Sequence, residues 1–577
     1  MGKEETIETD ILVVGGGFGG CMAAISASEH GVSVTVVEKA SVERSGAAGT
    51  GNDHFWHWNP EIHPRMGWTV PDMVRDITGQ GEYGRLINGY IDQELCEIVA
   101  RESYNIVLNL ERFGVKFRYD KIYPWNLNYE AKGKGEPRFR IIPQFQSAPD
   151  TLNYDGRDVK VVLARECKRR GIQVLNRVII TNLLTESNRA VGAVGINMRN
   201  GDFTVFKAKA IVIATGMALS RLYHSSSGNW FNSQRPPMIT GDGEAMALRA
   251  GVEVYLSAAG RTWNAGFQHF RNLYRSSGAA TTSFPAGKFV NAEGDVVIEH
   301  PAVREPLRKR REKVEADIRE GRTPFYLDMT DATEEEIRYA EWSYSNEGLC
   351  WVILEIMKDL GLDFRKDKFE LDLEAPGRLI EGMLGIFIDA ECQTSMNGLY
   401  AASPVQPAGE VSAPIAAVLG WRAGGRAAKY ALTTPEPEVD GNKVNAEKRR
   451  VFAPLERQEG VSWQEMNIEL NNIMENYKRY VGGVSLPPTR DAISHRGLTA
   501  SLELLEKLRN QPLHTKSPHE LVRGLEVLNL IDVGEALVRA ALDPRQYEPG
   551  NWFLGKRVRE GMEFRLKPIV YKYPIGG

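Results

Sequence analysis

Residues 11–38 read ILVVGGGFGGCMAAISASEHGVSVTVVE. An apolar run of β-forming residues is followed by a glycine cluster, then by an alanine-rich segment of helical character, and then by a second β-forming run that ends at Glu38. This order predicts a strand, a glycine turn, a helix and a second strand. A G-x-G-x-x-G motif in that context, with an acidic residue after the second strand, is typical of dinucleotide-binding folds.

The three glycines of the motif would have separate tasks. Gly15 permits the tight turn, Gly17 lets the backbone approach a pyrophosphate at the helix N-terminus, and Gly20 lets the helix pack closely on the strand. Glu38 would accept hydrogen bonds from ribose hydroxyls, and a carboxylate there disfavours a 2′-phosphate, so NADP is a poor candidate. A glycine turn in an ordinary βαβ unit is the structural alternative.

Length and composition indicate a large globular protein. The 577 residues are several times the ~150 residues typical of one domain, and the apolar and charged fractions of 42% and 25% are ordinary. The 71 basic and 75 acidic side chains give a net charge of −4. This balance argues against a dedicated nucleic-acid binder.

The cysteines and the first residues bear on cellular location. The five cysteines are odd in number and widely scattered, which argues against both a disulfide framework and a C-x-x-C metal or iron–sulfur site, so we expect buried thiols in a reducing compartment. The opening MGKEETIETD is polar and acidic, unlike a signal peptide. Residues 11–28 are uncharged, but their glycines suit a phosphate loop better than a spanning helix. We expect a cytoplasmic protein with no integral membrane segment.

Later glycine turns indicate that the nucleotide-binding fold resumes after the first βαβ unit. A strand-like run over 208–214 leads into Thr215-Gly216, and Thr-Gly-Asp-Gly at 240–243 precedes a helical run. A short apolar strand at 398–402 and an Ala/Gly-rich helix over 415–431 follow much later. The nucleotide-binding domain is therefore predicted to be discontinuous.

The intervening segment, 256–384, has a different character. It contains a charged run at 304–313, which we interpret as a solvated helix face, and a capping box at Thr333 and Glu336 that predicts a helix start. After residue 432 the chain reads as helical, with helix starts at Ser462 and Ser517.

Several stretches resemble one known group of flavoproteins. Residues 5–24, 36–47, 452–457 and 518–528 are similar to the FAD-dependent succinate dehydrogenase/fumarate reductase flavoprotein superfamily, and most similar within it to the alpha chain of the adenylylsulfate reductases. The resemblance covers essentially the whole chain.

The resemblance implies an α/β fold in which a discontinuous Rossmann-like FAD-binding domain carries an inserted α+β capping domain and is followed by a C-terminal helical domain. The expected boundaries are 1–255 with 385–432 for the FAD-binding domain, 256–384 for the capping domain and 433–577 for the helical domain.

The resemblance also implies FAD rather than NAD as the cofactor. In that family the residues matching Glu38 and Lys39 flank the adenosine ribose, and the loop matching 44–47 lies near the flavin. Gly46 stands where the membrane succinate dehydrogenases carry the histidine that bonds the flavin, so noncovalent FAD is expected. Motif and resemblance together predict these FAD-binding residues: Gly15, Gly17, Gly20, Glu38, Lys39, Arg44, Ser45, Gly46, Ala47, Thr215, Gly216 and Asp242.

The substrate side departs from the family. The fumarate reductase segments His-Pro-Thr-Gly and His-x-Glu-Gly-x-Arg have no counterpart in 256–279, and 378–386 lacks the histidine of the adenylylsulfate reductases. Residues 48–58 place aromatic side chains and two histidines where the substrate-side residues of the family lie. Pro404 replaces an acidic residue near the flavin, and Glu410 is a candidate substitute. A different substrate, bulky or aromatic, is the interpretation.

Hydride transfer at flavin N5 needs a proton donor and a group that holds developing negative charge. The candidate catalytic residues are Arg261, Arg271, His269, His57 and His54. The alternative for each arginine is a structural salt bridge, and the alternative for each histidine is a structural role.

The sequence thus predicts an FAD-dependent oxidoreductase that transfers two electrons at flavin N5 to or from a small organic substrate. The resemblance implies that the electron partner is a separate ferredoxin-like iron–sulfur subunit, because this chain has no cysteine cluster of its own. One alternative is a genuine adenylylsulfate reductase or fumarate reductase flavoprotein subunit. The other is a non-catalytic electron-transfer flavoprotein subunit.

Overall fold

The protein is represented by a computed structural model that describes residues 2–77, 91–126, 136–142, 150–217, 219–223, 236–257, 266–270, 286–299, 307–347, 350–374, 383–406, 408, 412–481, 493–547 and 570–571.

The strands of this part of the chain, numbered in chain order, are β1 (Glu4–Val14), β2 (Val34–Glu38), β3 (His54–Trp56), β4 (Arg118–Tyr119), β5 (Arg138–Ile142), β6 (Thr151–Asn153), β7 (Gln173–Asn176), β8 (Val178–Glu186), β9 (Arg189–Asn197), β10 (Phe203–Ala214), β11 (Val254–Ser257), β12 (Gly266–Phe270), β13 (Lys288–Val290), β14 (Val296–Ile298), β15 (Tyr326–Asp328), β16 (Phe369–Glu374), β17 (Met383–Ile386), β18 (Leu399–Ser403) and β19 (Val570–Tyr571).

The α-helices of the same residues are α1 (Phe18–Ser28), α2 (Val70–Ile77), α3 (Gln93–Phe113), α4 (Val159–Arg169), α5 (Asp242–Arg249), α6 (Leu307–Arg319), α7 (Glu334–Asn346), α8 (Cys350–Leu360), α9 (Ser412–Leu432), α10 (Gly441–Glu456), α11 (Trp463–Tyr480), α12 (His495–Arg509) and α13 (Pro518–Leu542).

The main sheet has seven strands in the order β7-β2-β1-β10-β9-β8, with β18 also paired to β10. Strands β7, β2, β1, β10 and β18 run parallel, whereas β9 and β8 are antiparallel. The end of β1, residues 11–14, is buried, as expected for a parallel strand that is covered on both faces. The predicted strand–glycine turn–helix–strand unit is present as β1, α1 and β2.

Helices α1 and α9 cross at backbone contact. A Cβ added to Gly420 would overlap the carbonyl oxygen of Gly19, and one added to Gly424 would overlap that of Ala23. Glycines on α9 therefore let it press against the helix that begins at the glycine turn. The late Ala/Gly-rich helix thus returns to the first βαβ unit, as the sequence predicts.

A second core lies in the inserted segment. Its buried residues, among them Phe325, Leu327 and Tyr344, form a hydrophobic cluster separate from the main core. Strands β12, β16, β15, β13 and β14 form its five-stranded sheet. Helix α7 begins with the predicted capping box, in which Thr333 and Glu336 each bond the other's backbone N–H.

The C-terminal helices do not form a separate core. Buried side chains of α11, α12 and α13 belong to the same hydrophobic cluster as β1, β10 and α9. Ser517 caps α13 through the N–H of Glu520, as predicted, and β19 returns to pair with β11. The division of the chain into domains at the stated boundaries stays a prediction.

Two further observations concern the helices and the cysteines. Among the helices that the structure describes, none is both long enough and apolar enough to cross a bilayer. The four cysteines whose side chains are described, Cys21, Cys96, Cys167 and Cys392, are free thiols and buried.

Candidate functional site

The glycine turn has two closed positions and one open position. Gly15 has a φ of +98°, and a Cβ there would lie 2.5 Å from the carbonyl oxygen of Ala214. A Cβ on Gly20 would overlap the carbonyl oxygen of Gly15, whereas among the described residues one on Gly17 would meet only the Cα of Gly46, at 3.8 Å. Packing of the fold therefore accounts for Gly15 and Gly20. The position beside Gly17 is not closed by packing in this way.

Glu38 reaches back from the end of β2 to the turn. Its carboxylate accepts the Gly16 N–H at 2.7 Å and the Ala40 N–H at 2.6 Å. The side chain is buried, so these two bonds orient it. Each carboxylate oxygen keeps a lone pair that can accept a ribose hydroxyl.

The loop at 44–47 lies against the turn. Ser45 donates its hydroxyl to the Gly16 carbonyl at 3.1 Å. Gly46 has a φ of +77°, and a Cβ there would lie 3.0 Å from the Cα of Gly17. Arg44 instead points to α4, where it donates to the Arg157 carbonyl at 3.0 Å and to the Asp158 carboxylate at 2.7 Å. Ala47 is exposed.

Lys39 and Asp242 form a buried ion pair beside the turn. The Lys39 Nζ lies 2.5 Å from the Asp242 carboxylate, 2.9 Å from that of Glu526 and 3.0 Å from the Thr240 hydroxyl. Burial acts to lower the pKa of Lys39, but the two carboxylate charges outweigh it and raise that pKa. Burial acts to raise the pKa of Asp242, but the Lys39 charge and hydrogen bonds lower it. Both groups are therefore charged at neutral pH.

Helix α13 completes this network, which sequence reasoning missed. The fully buried Glu526 carboxylate also pairs with Arg221 and, at 3.1 Å, with Arg523. Asn529 donates to Asp242 at 2.9 Å. Positions 523, 526 and 529 are polar at intervals of three within the apolar stretch 521–531 of α13. That spacing was the available signal for a buried polar stripe.

Thr215 and Gly216 follow β10 at the same edge of the sheet. The Thr215 hydroxyl is buried, has no hydrogen-bond partner among the described residues and lies against Gly243 at the start of α5. Gly216 has a φ of +85° and donates its N–H to the Ser403 carbonyl at 3.3 Å. Pro404 thus lies beside these residues, while Glu410 is outside the described residues.

These residues together form a cradle at the carboxyl ends of the parallel strands β1, β2 and β10. In open α/β sheets a dinucleotide binds at this edge. The open space beside Gly17, the start of α1 and the oriented Glu38 carboxylate fit a pyrophosphate and a ribose. The structure thereby brings the predicted cofactor residues together, apart from Arg44 and Ala47, whose side chains point elsewhere or are exposed.

The predicted catalytic residues are less completely placed. His54 lies in β3, and His57 follows that strand directly. His269 lies in β12, but its side chain is outside the described residues, as are Arg261 and Arg271.

His57 is fully buried beside Asp150, whose carbonyl lies 3.1 Å from Nδ1, and within the described part of the chain its Nε2 has no hydrogen-bond partner. Burial lowers the pKa of His57 well below its usual value, and the neighbouring His63 ring acts in the same direction. The ring is therefore neutral, with Nδ1 donating to the carbonyl and a lone pair on Nε2.

His54 is held between two carboxylates. Its Nδ1 lies 2.7 Å from Asp53 and 3.5 Å from Glu347. Burial acts to lower the pKa of His54, but the Glu347 and Asp53 carboxylates outweigh it and raise that pKa to about 10. Burial and the Glu347 charge raise the pKa of Asp53 to about 6, and against burial the His54 charge lowers the pKa of Glu347. A positive His54 thus joins β3 to the end of α7.

This arrangement makes stability depend on pH. The folded pKa of His54 is about 10 against a usual 6.5, so its contribution is complete below pH 6.5 and is lost as pH rises through 10. The raised pKa of Asp53 changes stability at lower pH, between its usual value of 3.8 and about 6. We expect the urea midpoint of the wild type to fall between pH 7 and pH 10, and that of His54→Gln to fall less. The exposed His495→Gln is the control, and parallel profiles for wild type and His54→Gln would contradict the assignment.

Comparison with known proteins gives a family model and relatives that match from about half of the chain to nearly all of it. The model described as FAD binding domain matches residues 10–413. One subunit of the fumarate reductase (CoM/CoB) of Methanothermobacter marburgensis is 25% identical over 566 residues, which cover 94% of this chain and 93% of the relative. The alpha chain of the adenylylsulfate reductase of Megalodesulfovibrio gigas is 27% identical over 360 residues, which cover 56% and 50% of the two chains.

Among solved structures, adenylylsulfate reductase from Archaeoglobus fulgidus superposes with a TM-score of 0.73 at 24% identity, over 94% of this chain and 89% of that one. At this identity the likeness shows the fold alone. It confirms the predicted class, a mixed α/β fold with a Rossmann-like dinucleotide domain, a cap and C-terminal helices.

Proposed function

The chain belongs to the family described as FAD binding domain, and from this premise we propose that it transfers two electrons at flavin N5 to or from a small organic substrate and exchanges them with an iron–sulfur partner. It is an FAD-dependent oxidoreductase, as its relatives are. The substrate, the partner and the roles of individual residues belong to the proposal.

The FAD pyrophosphate is placed at the N-terminus of α1, beside Gly17, and the adenosine ribose at Glu38. The single observation that carries this placement is the contrast within the turn, where Gly15 and Gly20 are closed by backbone atoms and Gly17 is open. Bound FAD supplies the acceptor or donor of hydride. The predicted FAD-binding residues hold the cofactor, with Lys39 and Asp242 fixed by α13.

The FAD is proposed to be noncovalent. Gly46 carries no nucleophile, and its positive φ together with the 3.0 Å approach of a Cβ to the Gly17 Cα disfavours a side chain there. We expect acid precipitation of the purified protein to release essentially all of the flavin into the supernatant as FAD, with about one FAD per chain. Flavin absorbance that stays with the precipitated polypeptide would contradict noncovalent binding.

On the substrate side, Arg261 and Arg271 are proposed to hold an anionic group of the substrate, and His269, His57 and His54 to supply or accept the proton. The Asp53 and Glu347 carboxylates pair with His54 and keep its ring oriented and charged. The neutral His57 can accept a proton at Nε2.

Two known activities are the rivals. The relatives' names favour fumarate or adenylylsulfate as substrate, whereas residues 256–279 and 378–386 lack the segments that carry those activities in the family. Direct assay of purified protein for reduction of fumarate to succinate, or of adenylylsulfate to sulfite and AMP, separates these cases. Turnover of either compound would replace the proposal of a different substrate.

The partner is proposed on the names of the relatives, which mark each as one subunit of a larger enzyme. The free, buried cysteines also favour a cytoplasmic location. We expect the native protein to be isolated with a small iron–sulfur subunit. Native complexes that contain flavin and no iron would contradict that partner. A flavin that cycles only with protein partners would instead support the electron-transfer alternative.

A further inference from the structure

The carbonyl group of Gly16 is the most heavily bonded backbone group of the glycine turn. Its oxygen accepts hydrogen bonds from the Lys160 ammonium group at 2.5 Å, the Ser45 hydroxyl at 3.1 Å and the Cys21 thiol at 3.3 Å. The N–H of the same residue is held by Glu38. Side chains from four separate segments therefore fix the orientation of one glycine.

That orientation determines where the next N–H points. The peptide bond between Gly16 and Gly17 is planar and trans, so its carbonyl and its N–H point in opposite directions. With the carbonyl turned toward Lys160 in α4, the N–H of Gly17 points away from α4. In the part of the chain that the structure describes, this N–H donates to no acceptor, and Gly17 faces open space.

Lys160 also places a positive charge behind the turn. Its side chain is fully buried, and none of the ion pairs among the described residues includes it. Burying an ammonium group without a carboxylate is costly, so a nearby anion is expected. Besides Gly16, its contact is the sulfur of Cys21, at 3.0 Å.

The start of α4 is itself fixed to the turn. Lys160 is the second residue of α4, and Arg44 ties the preceding Arg157 carbonyl and Asp158 carboxylate to the loop that carries Ser45. Val159 is buried beside Lys160. The ammonium group is therefore held in place behind Gly16.

We propose that Lys160 is a positioning residue for FAD: with Ser45 and Cys21 it holds the Gly16 carbonyl so that the Gly17 N–H points at the pyrophosphate, and its buried charge attracts that pyrophosphate from behind the turn. This inference rests on the proposed placement of the pyrophosphate beside Gly17. It assigns a binding role to a lysine that touches neither cofactor nor substrate.

The test is ligand binding by the full-length apoprotein. The variants are Lys160→Met, Ser45→Ala and, as a matched control, Lys168→Met, which removes an exposed lysine of the same helix. Calorimetry gives the Kd of FAD and of ADP, and competition against FAD gives that of adenosine, which has no phosphate. We expect Lys160→Met to raise the Kd of FAD and ADP by about tenfold or more and Ser45→Ala by about threefold, with adenosine unchanged.

A merely structural role for Lys160 would weaken adenosine and ADP equally, and that result would overturn the proposal. So would a Kd for ADP within twofold of the wild type in Lys160→Met or, if this variant does not fold, in Ser45→Ala. Gly17→Val tests the placement separately, because a side chain there projects into the ligand space. Normal FAD binding by Gly17→Val would overturn the placement of the pyrophosphate. If Gly17→Val loses FAD binding but Lys160→Met binds FAD as the wild type does, only the role of Lys160 is overturned.

Discussion

Glu526→Gln is expected to lower the free energy of unfolding by about 3–5 kcal/mol, the range measured when one partner of a buried ion pair is removed. The Glu526 carboxylate is fully buried and faces Lys39, Arg221 and Arg523. Without its charge, the Asp242 carboxylate would be the remaining anion beside three largely buried cations. Chemical unfolding of the wild type and the variant measures the loss.

The same change is expected to weaken FAD binding, because Lys39 loses one of the two carboxylates that hold it beside the cradle. Glu503→Gln, on the exposed face of α12, is the matched control and should leave both quantities unchanged. A Glu526→Gln protein as stable as this control would show that the cations are compensated elsewhere and that α13 does not support the nucleotide site.

Gly424→Val is expected to destabilise the protein by about 3 kcal/mol or more, because it forces apart two helices that touch through their backbones. A Cβ at this position would overlap the carbonyl oxygen of Ala23 in α1. The glycine turn directly precedes the first residue of α1, so displacement of this helix also moves the turn. The variant should therefore retain less FAD after gel filtration. Thermal unfolding and the flavin content of the purified protein are the measurements.

The matched control is Gly425→Ala in the same helix. A Cβ there would meet only side-chain ends, the Ser26 hydroxyl at 3.2 Å and the His30 ring at 3.5 Å, which can move aside. We expect this variant to stay close to the wild type. If Gly424→Val were equally stable, the close approach of α1 and α9 would not be a requirement of the fold.

The first βαβ unit could be predicted because its determinants are local. The β-forming runs, the glycine spacing and the acidic residue at position 38 all lie within 28 residues, and each has a direct structural consequence. Helix starts at Thr333 and Ser517 were predictable for the same reason, since cap and partner are three residues apart.

One strand was predicted too short. The sequence suggested a strand over 208–214, whereas β10 begins at Phe203. Residues 203–207 are hydrogen-bonded to β9 on one side and to β1 on the other, and all of them except Lys207 are buried.

The supporting network could not be predicted because its contacts are remote in sequence. Lys160 reaches Gly16 across 144 residues, and Arg221 reaches Glu526 across 305. No local pattern specifies which buried lysine meets which carbonyl. His54 was a candidate proton donor by residue type. Its raised pKa depends on Glu347, which lies at the end of α7 and far from His54 in sequence.

The most direct test of the proposed function is the oxidative half-reaction. The purified protein is reduced anaerobically, and flavin absorbance is followed while fumarate, adenylylsulfate, other unsaturated acids and aromatic enones are added one at a time. We predict rapid reoxidation by one organic compound other than fumarate and adenylylsulfate, which would identify the substrate class. Reoxidation by an iron–sulfur protein and by none of the organic compounds would contradict a small-molecule oxidoreductase.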